Sequence, residues 1–461
     1  MPTGKVYLVG AGPGDVNLIT VKGLRLIGAA DVILYDHLLS PALLDLVKPG
    51  AEVISVGKFA GRHTLPQEEI NALLVEKAKE GKMVVRLKGG DCYLFGRGGE
   101  EVEACYEAGV PFEVVPGVAS ALAAPAYAGI PPTHRDYTSD VAIVTGHRKI
   151  GDTRPMQIPK AGTVIFLMSV GNLENIINSL LAQGWPADTP IASVERGTWY
   201  DQRVVTGKLD NFLEAAARAD LRTPAVFIVG KVVELRDKLD WFSKRPNVLV
   251  LGSHPERYRH LGNIVHRRII DCVPLADYSD VDAVCRNIEQ FDWIVFTSVN
   301  GARFLFERLY AMGKDARALA RAGIGAIGQT TAKRLNAYGL IADVVPRTES
   351  SSGLLETFSA HDMAGKKVLL PQARVASKEL PEGLAAAGAQ ITALPVYETV
   401  DVDPGDIDFD YIDTVLFTSG STVRAFIKKF GHLPPKVRAL ALGEPTRKVA
   451  REHGINAEIL A

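Results

Sequence analysis

VYLVGAGPGDVNLIT, residues 6–20, decides how the first half of the chain is read. Four apolar residues run into a glycine loop, the pattern of a first β-strand opening a nucleotide site. The dinucleotide fingerprint G-x-G-x-x-G begins well at Gly10 and Gly12. Its third glycine is due at position 15, where the chain has Asp15, and Pro13 lies inside the loop. Glycines let the backbone turn tightly, whereas proline fixes its own φ and has no N–H to donate. Asp15 puts negative charge where a pyrophosphate is received, and a helix N-terminus wants that anion as its ligand. Further on, VILYD ends in Asp36, where a dinucleotide fold keeps its ribose-binding acid. A dinucleotide-dependent oxidoreductase is therefore one reading; a cofactor without phosphates fits the loop better.

Strand-like runs such as KVYLVG, KMVVRLKGGD, VAIVTGH, TVIFLM and AVFIVGKVV alternate with helical patterns, which predicts α/β architecture with largely parallel strands. At 461 residues the chain needs three or four folding units of roughly 100–150 residues. The polar stretch LRDKLDWFSKRP, 235–246, precedes a new strand, NVLVLGS, so the main boundary is placed at 243–246. Beyond it the chain repeats itself. Residues 292–309 match 413–430, 324–340 match 439–455, and 367–398 match 247–277. Two copies of an α/β unit, each about 120 residues, read as two similar lobes able to close a cleft.

A net charge of -1 argues against general nucleic-acid binding. No apolar run approaches the roughly 18 residues of a membrane span. MPTGKVYLVG lacks a basic-then-apolar leader pattern, so a cytoplasmic protein is expected. Cys92, Cys105, Cys272 and Cys285 form no CxxC pair, so neither a disulfide framework nor a metal site is expected.

VVRLKGGDCYLFGRGGEE, 84–101, is the second glycine loop; Arg86, Lys88 and Arg97 beside it suit an anionic substrate. In 114–137 a Pro116–Gly117 turn leads into an alanine-rich helix that lets a ligand or strand lie close. GAGPGD, VILYDHLLS, VGKFAG, PQEEIN, RLKGGDCYLFGRGGEE, VVPGVAS, AGIPPTHRDY and VTGH, in this order and spacing, resemble the uroporphyrinogen-III C-methyltransferases of the tetrapyrrole methylase family over 4 to about 243. The resemblance implies an S-adenosylmethionine pocket lined by Pro13, Gly89, Gly90, Asp91, Leu94, Ala119, Ser120, Met168, Gly197 and Ala225, with S-adenosylhomocysteine as by-product. It implies Asp36 and Lys58 as an acid–base pair, and His134 and Arg135 beside the substrate carboxylates. Each has a plain structural alternative: Asp91 a helix cap, Asp36 a strand-end turn, Lys58 a surface lysine, His134 a hydrogen-bonded core histidine. Two departures stand out. Cys92 and Tyr93 follow GGD where the family has proline and phenylalanine, and Ala119 stands for threonine.

FTSVNGARFLFE, AIGQTTAKRL, VPRTESSSGLLETF, LPVYETV and FTSGSTVRAF make 246–461 resemble uroporphyrinogen-III synthase. The expected fold is thus a two-lobed methylase (about 1–115 and 116–243), then two α/β synthase lobes (about 276–395, and 246–275 with 396–461). The resemblance implies closure of hydroxymethylbilane to uroporphyrinogen III and its double methylation to precorrin-2, by a homodimer joined through the methyltransferase half. Tyr397 is the candidate proton donor, and Thr297, Ser298, Ser351, Ser352, Ser419 and Ser421 are candidate substrate contacts. Ser and Thr after a strand also commonly cap helices, and Tyr397 also suits a hinge plug. A second half that binds tetrapyrrole without turnover is the alternative.

Overall fold

The computed structural model describes residues 3–57, 65–146, 156–252 and 254–460. They form two compact units. The first runs to Val248 and takes in Arg257–Val265 and Asp410–Ile412; the second comprises Leu249–Glu256, His266–Phe409 and Asp413–Ala461.

The first unit opens with β1 (Lys5–Gly10), β2 (Val32–Tyr35), β3 (Glu52–Ser55), β4 (Met83–Lys88) and β5 (Phe112–Val115), in the order β3-β2-β4-β1-β5. Every pair is parallel. A parallel sheet must be covered on both faces. Val6, Leu8, Leu34 and Val84 meet α2 (Gln67–Lys79) and α3 (Gly98–Glu107) on one side. Val9, Ile33, Val85 and Leu87 meet α1 (Val21–Ala29) and the 39–43 turn on the other. The carboxyl ends of β1, β4 and β5 bring the three glycine loops to one edge, where open α/β sheets bind ligands.

α4 (Ser120–Tyr127) leads into a second sheet built from β6 (Val141–Thr145), β7 (Thr163–Leu167), β8 (Pro190–Glu195), β9 (Arg203–Lys208) and β10 (Ala225–Val229), in the order β6-β7-β10-β8-β9. Only β6 and β7 run parallel; β10 is antiparallel to β7 and β8, and β8 to β9. This departs from the expected parallel pattern. The connection from β8 to β9 is a short loop, and such a connection permits only antiparallel neighbours. α5 (Leu173–Ala182) and α6 (Phe212–Arg218) cover one face, and Ala121, Ala124 and Ala128 of the α4 segment lie on the other.

The polar stretch 235–246 is built into this unit. It holds α7 (Arg236–Leu239); Arg236 donates to the Ala128 carbonyl at 2.5 Å and the Trp241 indole to that of Ala126 at 3.1 Å. Trp241 and Phe242 pack on the Tyr127 ring with centroids 5.0 and 4.9 Å away. Aromatic packing a hundred residues away in sequence is what composition at 235–246 could not report.

The C-terminal half begins with β11 (Asn247–Val250), β12 (Asn263–His266), β13 (Ile270–Val273) and α8 (Ser279–Arg286). The repeat is then visible element by element. β14 (Trp293–Phe296) and α9 (Val299–Ala311), followed by β15 (Gly323–Ala326) and α10 (Gln329–Asn336), form the first copy. α11 (Ser351–Phe358), β16 (Lys367–Ala373), α12 (Glu379–Ala386) and β17 (Gln390–Asp401) intervene. β18 (Thr414–Phe417), α13 (Gly420–Phe430), β19 (Arg438–Ala441), α14 (Glu444–Glu452) and β20 (Ala457–Ile459) form the second. The sheets are β13-β17-β16-β14-β15 and β12-β11-β18-β19-β20. β20 has as its counterpart only the bridge from Gly325 to Val344. The sequence split at 275/276 puts β13 and the end of β17 in the other lobe. In the structure β17 continues past β16 and pairs antiparallel with β13.

All four cysteines are free thiols, and only Cys272 is not fully buried. Burial pushes Cys92 up to about 12 and Cys105 and Cys285 up to about 11. The thiolate is the reactive form, so the native protein is expected to react slowly with Ellman's reagent at pH 8, and all four thiols to react after denaturation. These groups hold their protons longer folded than unfolded. Their contribution to stability is therefore complete below the ordinary thiol pKa of about 9 and is lost as pH climbs towards 11–12. Denaturation midpoints at pH 8 and 10, compared with those of Cys105→Ala, measure it.

Candidate active sites

Three backbone loops interlock at the end of the first sheet. Gly12 and Gly90 exchange both of their hydrogen bonds, at 3.1 and 2.8 Å, and the Ala11 N–H donates to the Lys88 carbonyl at 2.7 Å. Both glycines are left-handed, with φ of +77° and +67°. The third loop closes over them: a Cβ on Gly117 would lie 2.2 Å from the Gly90 oxygen, and one on Gly10 2.5 Å from the Gly117 Cα. Asp91 ties the loops together. One carboxylate oxygen accepts the N–H groups of Tyr93 and Leu94 at 2.8 and 3.1 Å, the other that of Gly117 at 3.0 Å. Its visible bonds are thus to backbone. Ala119 is the N-cap of α4 and makes no side-chain bond, and the Ser120 hydroxyl lies 3.2 Å from where a Gly90 Cβ would stand. Gly89 faces Leu38, and Leu94 packs beside α4.

A loop of the second sheet grips the first glycine loop. The Trp199 indole donates to the Pro13 carbonyl at 3.1 Å, and the Asp15 N–H to the Thr198 hydroxyl at 3.0 Å. Thr198 N–H donates to Gln202, Gln202 to the Tyr127 carbonyl, and the Tyr127 hydroxyl to Asp15 at 2.8 Å, which closes a ring of hydrogen bonds. Burial, and then the Asp15 charge, push the Tyr127 phenol up. Asp15 also accepts the N–H of Asn17. The carboxylate thus takes a donor that a phosphate would use. Arg196 and Thr198 flank Gly197 at φ +48° and +75°; left-handed threonine is uncommon and marks a held loop. A Cβ on Gly197 would meet that of Ala124 at 2.5 Å. Ala225 pairs with Glu195, and Arg196 N–H donates to the preceding Pro224 carbonyl at 2.9 Å. Met168 is left-handed, at φ +53°, and 53% exposed at the end of β7. The sequence pointed to Gly197 alone here; Thr198, Trp199, Gln202 and Tyr127 carry no local signal. His134 and Arg135 sit in a tight turn, where His134 exchanges backbone bonds with Thr138 and its ring accepts the Asp136 N–H at 3.2 Å. Arg135 is exposed, and the His134 bonds to Thr138 and Asp136 stay within the turn.

Asp36 follows β2 and accepts from the Arg86 guanidinium at 2.5 Å. Arg86 also donates Nε to Glu101 at 2.9 Å, and Lys88 donates to the same carboxylate oxygen at 2.9 Å. Arg86 is 2% exposed, Lys88 4% and Glu101 0%. The expectation that Arg86, Lys88 and Arg97 offer charge to an anionic substrate is corrected. Two are buried and paired, and the exposed Arg97 is held by Glu100. Alternation along β4 aims 86 and 88 at the α2–α3 side, a direction legible in sequence; the acid awaiting them is not. Lys58 lies outside the described residues.

In the second unit the hydroxyl candidates gather at helix starts. Ser298 caps α9 by accepting the Gly301 N–H at 2.9 Å, with Thr297 before it, and Ser419 caps α13 in a reciprocal box with Thr422. Ser421 lies 3.0 Å from Ser419. For α11 the cap is Ser350, which was not singled out; Ser351 and Ser352 begin the helix, and Ser352 contacts Ser350 at 3.0 Å. Tyr397 is 7% exposed, stacked on Phe304 at 5.2 Å, with its hydroxyl 3.4 Å from that of Ser298. Burial pushes its phenol up. Among the described residues no three His, Cys, Asp or Glu stand together as a metal site, and no helix is long and apolar enough to cross a membrane.

The contact at Gly117 has no room for a methyl group. Gly117→Ala is expected to open the loops and lower methyl transfer by about 100-fold or more. Calorimetric binding of S-adenosylhomocysteine, with synthase turnover in the same sample as folding control, checks it.

Residues 5–213 match the family model of Tetrapyrrole (Corrin/Porphyrin) Methylases and 258–461 that of Uroporphyrinogen-III synthase HemD. A porphyrin biosynthesis protein HemD of Ruminiclostridium josui is 38% identical over 477 residues, covering 99% of this chain and 95% of that protein. A siroheme synthase of Hahella chejuensis is 51% identical over 243 residues, 52% of each chain, so this chain spans about half of that relative. A solved uroporphyrin-III C-methyltransferase of Thermus thermophilus, complexed with S-adenosylhomocysteine, is 41% identical, covers 50% of this chain and all of its own, and has a TM-score of 0.44. With both family models in order and a relative matched over nearly its whole length, the chain belongs to the family in which a tetrapyrrole methylase of the uroporphyrinogen-III C-methyltransferase type is followed by uroporphyrinogen-III synthase.

Proposed function

We propose that the second half closes hydroxymethylbilane to uroporphyrinogen III and that the first half methylates this product twice, at C2 and C7, to precorrin-2 for sirohaem or cobalamin synthesis. The observation that carries the methyl-transfer reading is the three-loop interlock, with the Trp199 loop held against it. It offers backbone groups and the small or apolar residues Ala119, Leu94, Met168 and Ala225, while its nearest cations are already paired. That suits S-adenosylmethionine, which has no phosphates. When bound, it supplies an electrophilic methyl carbon on a sulfonium.

Pro13, Gly89, Gly90, Asp91, Ser120 and Gly197 hold the cofactor, chiefly through backbone. Carbon alkylation leaves positive charge on the macrocycle, which must then lose a proton. Asp36, partly open and held by Arg86, takes it, and Lys58 is its acid partner. His134 and Arg135 meet the substrate carboxylates. In the synthase half, Thr297, Ser298, Ser351, Ser352, Ser419 and Ser421, with the backbone N–H groups at their helix starts, grip the polyanionic chain. Tyr397 gives a proton to the departing hydroxyl. Water leaves, the last ring inverts, and closure follows, the attacking pyrrole carbon losing the proton that restores the Tyr397 phenol. The protein works in the cytoplasm as a homodimer joined through the methyltransferase half.

The buried, stacked Tyr397 also fits the alternative, a second half that binds tetrapyrrole without turnover. Hydroxymethylbilane given with and without S-adenosylmethionine separates the two. The expected products, read by mass and isomer after oxidation, are uroporphyrin III without the methyl donor and a species two methyl groups heavier with it. Uroporphyrin I alone, the spontaneous product, would establish the alternative. Failure to methylate preformed uroporphyrinogen III would overturn the methyltransferase reading.

A further inference from the structure

We infer that Glu101 is a positioning residue for methyl transfer, acting on Asp36 through Arg86; this rests on the reading of Asp36 as the base. Exposure falls along the chain of charges. The Asp36 side chain is 29% exposed, Arg86 behind it 2%, and Glu101 behind that 0%. Glu101 therefore touches neither substrate nor cofactor. Its single oxygen Oε1 takes Arg86 Nε, Lys88 Nζ and, at 3.3 Å, Gln67 Nε2. Its other oxygen is buried with no partner among the described residues.

Burying the three charges of Arg86, Lys88 and Glu101 is costly, and replacing such a group with apolar side chains is often neutral or stabilising. An unpartnered carboxylate oxygen adds to that cost. Stability alone does not account for the cluster; the geometry does. The guanidinium is planar, so fixing Nε on Glu101 fixes the direction of the NH2 group that meets Asp36. Glu101 also answers two cations at once. Without it, Arg86 would keep Asp36 as its one carboxylate partner and lose the anchor that sets the direction of that contact.

The experiment uses the full chain and a two-by-two set of Asp36→Asn and Glu101→Gln, assayed with uroporphyrinogen III and S-adenosylmethionine. Glu101→Gln is expected to lower kcat by about tenfold or more while KM for the methyl donor stays within about twofold. Added to Asp36→Asn it should lower the rate no further, because both changes act on one step. Glu101→Asp, which keeps the charge, should recover part of kcat. Synthase turnover and S-adenosylhomocysteine binding report folding in every variant. An additive double mutant, or loss of cofactor binding in step with kcat, would assign Glu101 a merely structural role and overturn the inference. So would wild-type kcat in Glu101→Gln beside an impaired Asp36→Asn, with Asp36 itself left standing. If Asp36→Asn is fully active, the reading of Asp36 as base falls and this inference falls with it.

Discussion

The contact of Gly117 with Gly90 and Gly10 is the constraint on which the methylase half depends. Three loops from three strands meet backbone to backbone, closer than any side chain permits. Each satisfies polar groups of another: Gly12 and Gly90 pair directly, and Asp91 carries the third loop by accepting the Gly117 N–H. Loop backbone is otherwise left to water, so such an arrangement replaces solvent with fixed donors and acceptors. The edge of the parallel sheet becomes a rigid surface rather than a set of mobile connections.

The second sheet contributes a clamp rather than more of the same surface. Its β8–β9 loop holds left-handed Arg196 and Thr198 and reaches back to Pro13 and Asp15. Tyr127 joins three tasks there. Its hydroxyl meets Asp15, its carbonyl accepts from Gln202, and its ring receives Trp241 and Phe242. Asp15, the residue that spoils the dinucleotide fingerprint, is thereby explained. It serves the clamp, and the chemistry it excludes is a consequence.

Charge is treated differently in the two halves. The methylase buries Arg86, Lys88 and Glu101 beside its sheet and balances them with the partly open Asp36. The synthase half places hydroxyls and backbone N–H groups at the starts of α9, α11 and α13, where the helix dipole favours anions without a buried cation.

The sequence by itself determined whatever is local or repeated. The glycine loops, the strands that feed them, the order of motifs and the doubled unit of the C-terminal half were all legible. Glycine positions and strand periodicity are properties of a few consecutive residues, and the repeat maps β14–α9 onto β18–α13 without a shift. The tertiary structure decided the pairings. Arg86 and Lys88 read as free cations because Glu101 stands on another element, and the packing of 235–246 was not legible because Tyr127 lies far upstream. Ser350 rather than its neighbours became the α11 cap because one backbone geometry selects among three equal serines. β13 changed sheets because β17 runs on past its partner. In each case the residue type fixed what a side chain or strand can do, and only folding brought it the group it does it with.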